Sequence, residues 1–345
     1  MDMGKNKVIK WFSAQWAGNP LFSTTLALCA IIILQTCALG FDYASFGEWW
    51  SKFCNNWIIV LRNNATTGIV SLGMAFVIIS AGIDLAVGST FVASGALFLL
   101  LLDSSGAGLL SAAGLSGWPA FAIAVVLVVL FGSLLGGVNG VLVADGGIPP
   151  FIVTLGTMKI YRSVTQHFMQ GRSPSFPSSD FGSFSTVTIG GYMVMPIVYW
   201  LLIAAMLYVI SKKTVFGTHV VAVGSNEKAA KLTGISVKAV KRMVYVMTGA
   251  LVAFASVIQI CRIGSMDYSN AGSGYEMDAI ASVIVGGTRM SGGRGTVIGT
   301  MLGVLIIGVM NNLLNLYGVP PFLREAFKGV IVIIAVLLQK KEATS

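Results

Sequence analysis

Apolar residues fall in long blocks along this chain, and polar residues gather between them. The blocks lie at about 21–40, 65–82, 85–102, 119–143, 150–168, 192–210, 240–261, 276–289, 295–313 and 322–338. Most approach the ~20 residues that carry a helix across a ~30 Å hydrocarbon core. The pattern predicts an all-α membrane protein of about ten transmembrane helices. Residues 1–345 read as one membrane domain. The block at 276–289 is short for a full crossing. It is either tilted or broken, with its backbone satisfied inside the protein.

Composition agrees: 55% of residues are hydrophobic and 10% charged, with a mean hydropathy of +0.84. A soluble domain carries about 25% charged residues. The formal net charge of +9 would suggest nucleic acid in a soluble protein. Here the basic residues cluster beside apolar blocks, which points to orientation in a membrane and to lipid contact, with no nucleic-acid partner. Lys5, Lys7 and Lys10 precede the first block, which is longer than a signal-peptide core and reads as the first span. With both termini cytoplasmic, ten spans place Lys212, Lys213, Lys228, Lys231, Lys238, Lys241, Arg242, Lys340 and Lys341 inside. Lys52, Arg62, Arg172, Arg262, Arg324 and Lys328 then fall at outer ends and loops.

A weak internal symmetry runs through the glycines. Gly132, Gly136 and Gly140 recur at four-residue steps in the fourth block, and Gly295, Gly299 and Gly303 do so in the ninth. Small residues at that spacing let helix backbones approach closely. Pro-Pro-Phe follows each, at 149–151 and 320–322. The fourth and ninth blocks are an odd number of spans apart, so the copies run in opposite directions, as in an inverted repeat.

Little in the chain suggests catalysis. It has no GxxxxGK[ST] phosphate loop, no CxxC among its four cysteines and only two histidines, His167 and His219, without metal spacing. No cofactor, metal or catalytic residue is expected. Gly292-Gly293-Arg294-Gly295 reads as a tight turn. Between the sixth and seventh blocks lies a long polar, basic stretch. Within it, Asn226 can cap a short helix with Glu227 in its first turn, and Gly234 can end it.

Three motifs resemble the permeases of ribose-type sugar ABC importers. The first runs from Gly73 to Ser89 and contains Gly82-Ile83-Asp84-Leu85-Ala86-Val87-Gly88. The second is Gly217, Ala222, Val223, Gly224, Asn226, Glu227, Ala229, Ala230, Gly234 and Ile235. The third is Gly274 to Thr288, followed by Ser291-Gly292-Gly293. The resemblance covers residues of about 20 to 340. Ala81 and Ala86 stand where that family has Gly and Ser, and Lys159 is foreign to it.

The resemblance implies a multi-pass protein of the bacterial inner membrane in which spans 2–5 and 7–10 form opposed repeats. It implies a second permease subunit, identical or paralogous, a cytoplasmic ABC ATPase that hydrolyses the ATP, and an extracytoplasmic solute-binding protein. The cargo would be a monosaccharide; nucleosides and autoinducer-2 are the alternatives within the family. The segment 211–239 becomes the ATPase-docking loop, with Gly224, Asn226, Glu227, Ala229, Ala230 and Gly234 as its docking element. Gly82, Asp84 and Gly88 form a structural or coupling turn, with Asp84 expected to cap the third span.

Ionisable groups within spans mark polar paths. Lys159 and Arg162, three residues apart, are expected to turn inward together near Asn139 or Asn311. These four are the candidate translocation path. An ion-coupled secondary transporter is the rival reading, with Lys159, Arg162, Glu276 and Asp278 as its ionisable groups.

Overall fold

The computed structural model describes residues 20–40, 43–105, 108–170, 174–320, 323–331 and 333. Helix α1 (Pro20–Ala38) is followed by α2 (Phe46–Ile79), α3 (Val87–Leu102), the single turn α4 (Leu109–Ala112), α5 (Gly117–Ala144) and α6 (Pro150–Met169). Two more single turns, α7 (Ser178–Phe181) and α8 (Ser183–Thr186), precede a hairpin of β1 (Thr188–Ile189) and β2 (Tyr192–Met193). Then come α9 (Met195–Lys213), α10 (Val215–Ser225), α11 (Glu227–Leu232), α12 (Val237–Ile263), α13 (Tyr275–Val285) and α14 (Val297–Leu316). Residues 323–331 are helical too. Pro321 and Phe322 of the second Pro-Pro-Phe, the basic ends of the chain and the end of the tenth block lie outside the described residues.

Among the described residues, α5, α9, α12 and α14 are long and apolar enough to cross a membrane. Residues 24–38, α3 and α10 are shorter apolar helices. Helix α2 starts well before the apolar block that predicted it. Ser45 caps it by accepting the Glu48 amide at 3.3 Å, and Phe46, Trp49, Trp50 and Phe53 stack along its first turns. The short eighth block is confirmed as short: α13 has 11 residues, about 16 Å at 1.5 Å per residue.

The core is assembled on α12, whose largest partner is α5, with α2 and α3 alongside. The α5 glycines explain that closeness. A Cβ on Gly136 would overlap the Tyr245 carbonyl, and one on Gly132 would strike Ala253 and the Gly249 carbonyl. Gly140 lies against Arg242 in the same way, with 2.9 Å to its Cα. Gly299 and Gly303 press α14 onto the Gly286 and Ser282 carbonyls at the end of α13. Gly295 departs from the predicted pattern. It precedes α14, because Thr296 caps that helix by accepting the Gly299 amide at 2.9 Å. The stretch 211–239 also differs from a plain loop. Its apolar run from Val215 folds as α10 behind a Thr214 cap, and α11 follows directly.

Candidate functional site

Three segments distant in sequence converge at the ends of α2, α10 and α13. Ile79 ends α2, and its carbonyl accepts the Gly293 amide at 2.9 Å. Gly224, in the last turn of α10, lies so close that a Cβ there would overlap that same Ile79 oxygen and sit 2.7 Å from the Gly293 nitrogen. Gly292 adopts φ +85°, and a Cβ on it would come within 2.9 Å of both Ala81 and the Gly224 carbonyl. The contact is backbone on backbone, which only glycine permits. Each of the three motifs contributes one strand of this junction.

Ala81 within it has φ +61°, a left-handed conformation that costs an L-residue about 1–2 kcal/mol. Ala81→Gly is therefore expected to stabilise the protein by up to about 1 kcal/mol, after allowing for glycine's freer unfolded chain. A rise in the midpoint of thermal unfolding in detergent checks this; no rise would show that the turn carries no strain.

Beyond the junction the chain turns through Gly82 to Asp84. The Tyr245 hydroxyl donates to the Ile83 carbonyl at 2.9 Å and packs over Gly82. Asp84 does not cap α3. That helix begins at Val87 behind Ala86, and Asp84 Oδ1 instead accepts the Ala86 amide at 2.9 Å, closing the turn two residues earlier. Gly88 opens α3 under the Gly272 carbonyl, with Glu276 Oε2 beside it.

Helix α11 has the predicted ends. Asn226 Oδ1 accepts the Ala229 amide at 3.0 Å, and Gly234 takes φ +85° just beyond Thr233. Its faces are less as expected. Ala230 is buried at 4% exposure against its own chain, whereas Ala229 is exposed and Leu232 is 89% exposed. Glu227 pairs with Lys241 of the same chain at 2.6 Å rather than standing free for a partner. A recess of about 480 Å³ lies beside it, bounded by Pro149, Pro150, Glu227, Lys231 and Lys238.

The candidate path residues separate. Lys159 is exposed on α6 while Arg162 turns inward. Three residues rotate about 300° around a helix, so side chains about 60° apart straddle the edge of the buried face. Arg162 Nη1 donates to the Ala271 carbonyl at 2.8 Å and the Ser269 carbonyl at 3.3 Å, with Glu276 and Asp267 nearby. In that exposed loop, hydrogen bonds from the Asn270 side chain and the Ser269 amide hold the Asp267 carboxyl below its usual range. Asn139 sits elsewhere, fully buried with its side chain toward the Asp84 carboxyl. Asn311 lies on α14, half-buried, with Oδ1 unmatched.

Sequence reasoning missed two charged groups. Lys328 is 9% exposed and bridges Asp278 of α13 at 2.8 Å and Glu325 at 2.9 Å. Arg262 donates from Nη1 to Asn63 at 2.7 Å and from Nη2 to Gln259 at 3.2 Å, with Arg62 close enough to repel it. By sequence alone, Lys328, Arg262 and Arg62 read only as orientation charges at span ends.

A helical bundle with several apolar spans, glycine-packed helix pairs and ionisable groups turned inward defines a multi-pass membrane transport protein. Residues 56–336 match the family described as the permease component of branched-chain amino acid transport systems, and the chain belongs to that family. It is similar to the ribose import permease protein RbsC of Bacillus subtilis, 40% identical over 290 residues, covering 84% of this chain and 85% of the relative. The ribose import permease protein of Haemophilus influenzae is 37% identical over 286 residues, covering 82% and 84%. The galactose/methyl galactoside import permease protein MglC of Escherichia coli is 35% identical over 285 residues, covering 81% and 84%. No solved structure matches the chain.

Proposed function

We propose that the protein is the membrane-spanning subunit of an ATP-driven importer, passing a monosaccharide from an external binding protein to the cytoplasm. The observation that carries this reading is the likeness over more than four-fifths of the chain to import permeases for ribose and galactose. The chain would cross the inner membrane about ten times with both termini inside, and would pair with a second permease subunit. ATP hydrolysis falls to a separate cytoplasmic subunit.

In this reading α11 docks on the ATPase, and the glycine junction carries its movement to the turn at Gly82–Gly88. The exposed Leu232 supplies the apolar contact of the docking helix. Leu232→Asp should lower retention of the ATPase during co-purification at least tenfold, roughly 1.4 kcal/mol or more. Ala230→Trp should instead reduce folded yield, because that side chain is already enclosed. Normal ATPase retention by Leu232→Asp would remove α11 from the interface.

The function itself is tested in proteoliposomes holding the permease, its ATPase and the loaded binding protein. ATP-dependent accumulation of labelled D-ribose, or of D-galactose, is expected. Uptake driven by an ion gradient without the ATPase would favour the secondary transporter. Competition by a nucleoside or autoinducer-2, with no sugar accumulated, would redirect the substrate within the family.

A further inference from the structure

Arg262 on α12 bonds Asn63, the neighbour of Arg62 on α2, which brings the two arginines together with no acidic partner. Among the described residues neither guanidinium forms an ion pair, although Asp278 and Glu276 find cations elsewhere. Arg262 is held only by neutral amides, through Asn63 at 2.7 Å and Gln259 at 3.2 Å. The Nε atoms of both arginines are shut off from solvent without a hydrogen-bond acceptor. Tyr275 closes one side: its hydroxyl faces Thr66 and Thr67, and its ring stands edge-on to Phe91 at 5.0 Å. Arg62 lies 17 residues before Ile79, about 25 Å along α2 from the glycine junction.

Two like charges held near each other in a half-buried site repel and lose part of their hydration. An arginine fork has five donors in a fixed plane and no acceptor of its own. Such a pair is complemented by a ligand rich in oxygen acceptors. The surrounding amides and the aromatic ring suit the polar edge and apolar face of a sugar ring. Lys328 shows the contrast: it is more deeply buried, but Asp278 and Glu325 already satisfy it.

We propose that Arg62 and Arg262, with Asn63, Gln259 and Tyr275, form a binding subsite for the oxygen acceptors of the transported monosaccharide, at the end of the path remote from the docking helix. This rests on the sugar-import reading above. The acceptor is a pair of hydroxyls or a carboxylate, and the test separates them.

The permease–ATPase complex is placed in nanodiscs without binding protein, and equilibrium binding of labelled D-ribose and labelled D-ribonate is measured. At least one should bind, with Arg62→Gln and Arg262→Gln each weakening it tenfold or more. Stronger binding of D-ribose assigns the subsite to neutral hydroxyls, and stronger binding of D-ribonate to a carboxylate. Arg62→Lys keeps the charge but not the fork, and should bind weakly while eluting as an intact complex. Absence of binding by both sugars, or binding that neither glutamine variant alters, overturns the subsite. If the intact importer still accumulates sugar in that case, the subsite alone falls; failure of uptake would instead sink the import reading.

Discussion

Gly224→Val should abolish ATP-driven uptake while leaving the protein in the membrane. The substituent would occupy the position of the Ile79 carbonyl oxygen and crowd the Gly293 amide, both main-chain atoms that cannot rotate aside. Overpacking of a tight contact costs about 1–3 kcal/mol even where side chains can yield. Here relief requires α10 to move away from α2, which separates the docking segment from the turn at Gly82–Gly88. ATP hydrolysis should persist, uncoupled from transport. Gly234→Ala is the control: nothing lies near a Cβ there, so only its left-handed backbone is strained. Uptake by Gly224→Val at the parental rate would show that the junction transmits nothing.

Lys328→Ala should destabilise the fold by about 3–5 kcal/mol, the range for removing one partner of a buried ion pair. It leaves Asp278 enclosed with its cation gone, while Glu325 is exposed enough to be solvated. The double variant Lys328→Met with Asp278→Asn should recover much of the loss, because no uncompensated charge then remains. Thermal unfolding of the three proteins in one detergent measures both effects. Equal destabilisation by the single and double changes would mean that lost packing, not stranded charge, is the cause.

The helices were legible where one block of sequence decides them. Length and apolarity alone locate α5, α9, α12 and α14, and Asn226 and Gly234 mark the ends of α11 within two residues. The glycine steps in α5 were readable as close packing, though nothing local said that α12 would be the partner. What escaped depends on contacts between remote segments. Asn63 and Arg262 are 199 positions apart, and each looks alone like an ordinary charge or amide at a span end. Arg62 and Lys328 escaped for the same reason: a tally of charges for orientation treats each cation as solvated. Lys159 failed differently, because a three-residue interval fixes an angle between side chains but not where the buried face stops. Gly295 fits a four-residue pattern that the cap at Thr296 interrupts.

The Glu227–Lys241 pair changes how the proposed docking helix should respond to ionic strength. Its acidic side chain is already paired within the same chain, so the charge it can still offer an ATPase is basic. Lys228 and Lys231 stand exposed beside Leu232, so a contact there combines a cationic part, which salt screens, with an apolar part, which kosmotropic salts strengthen. Retention of the ATPase should therefore fall only in part as sodium chloride is raised, and fall less in sulfate of the same ionic strength.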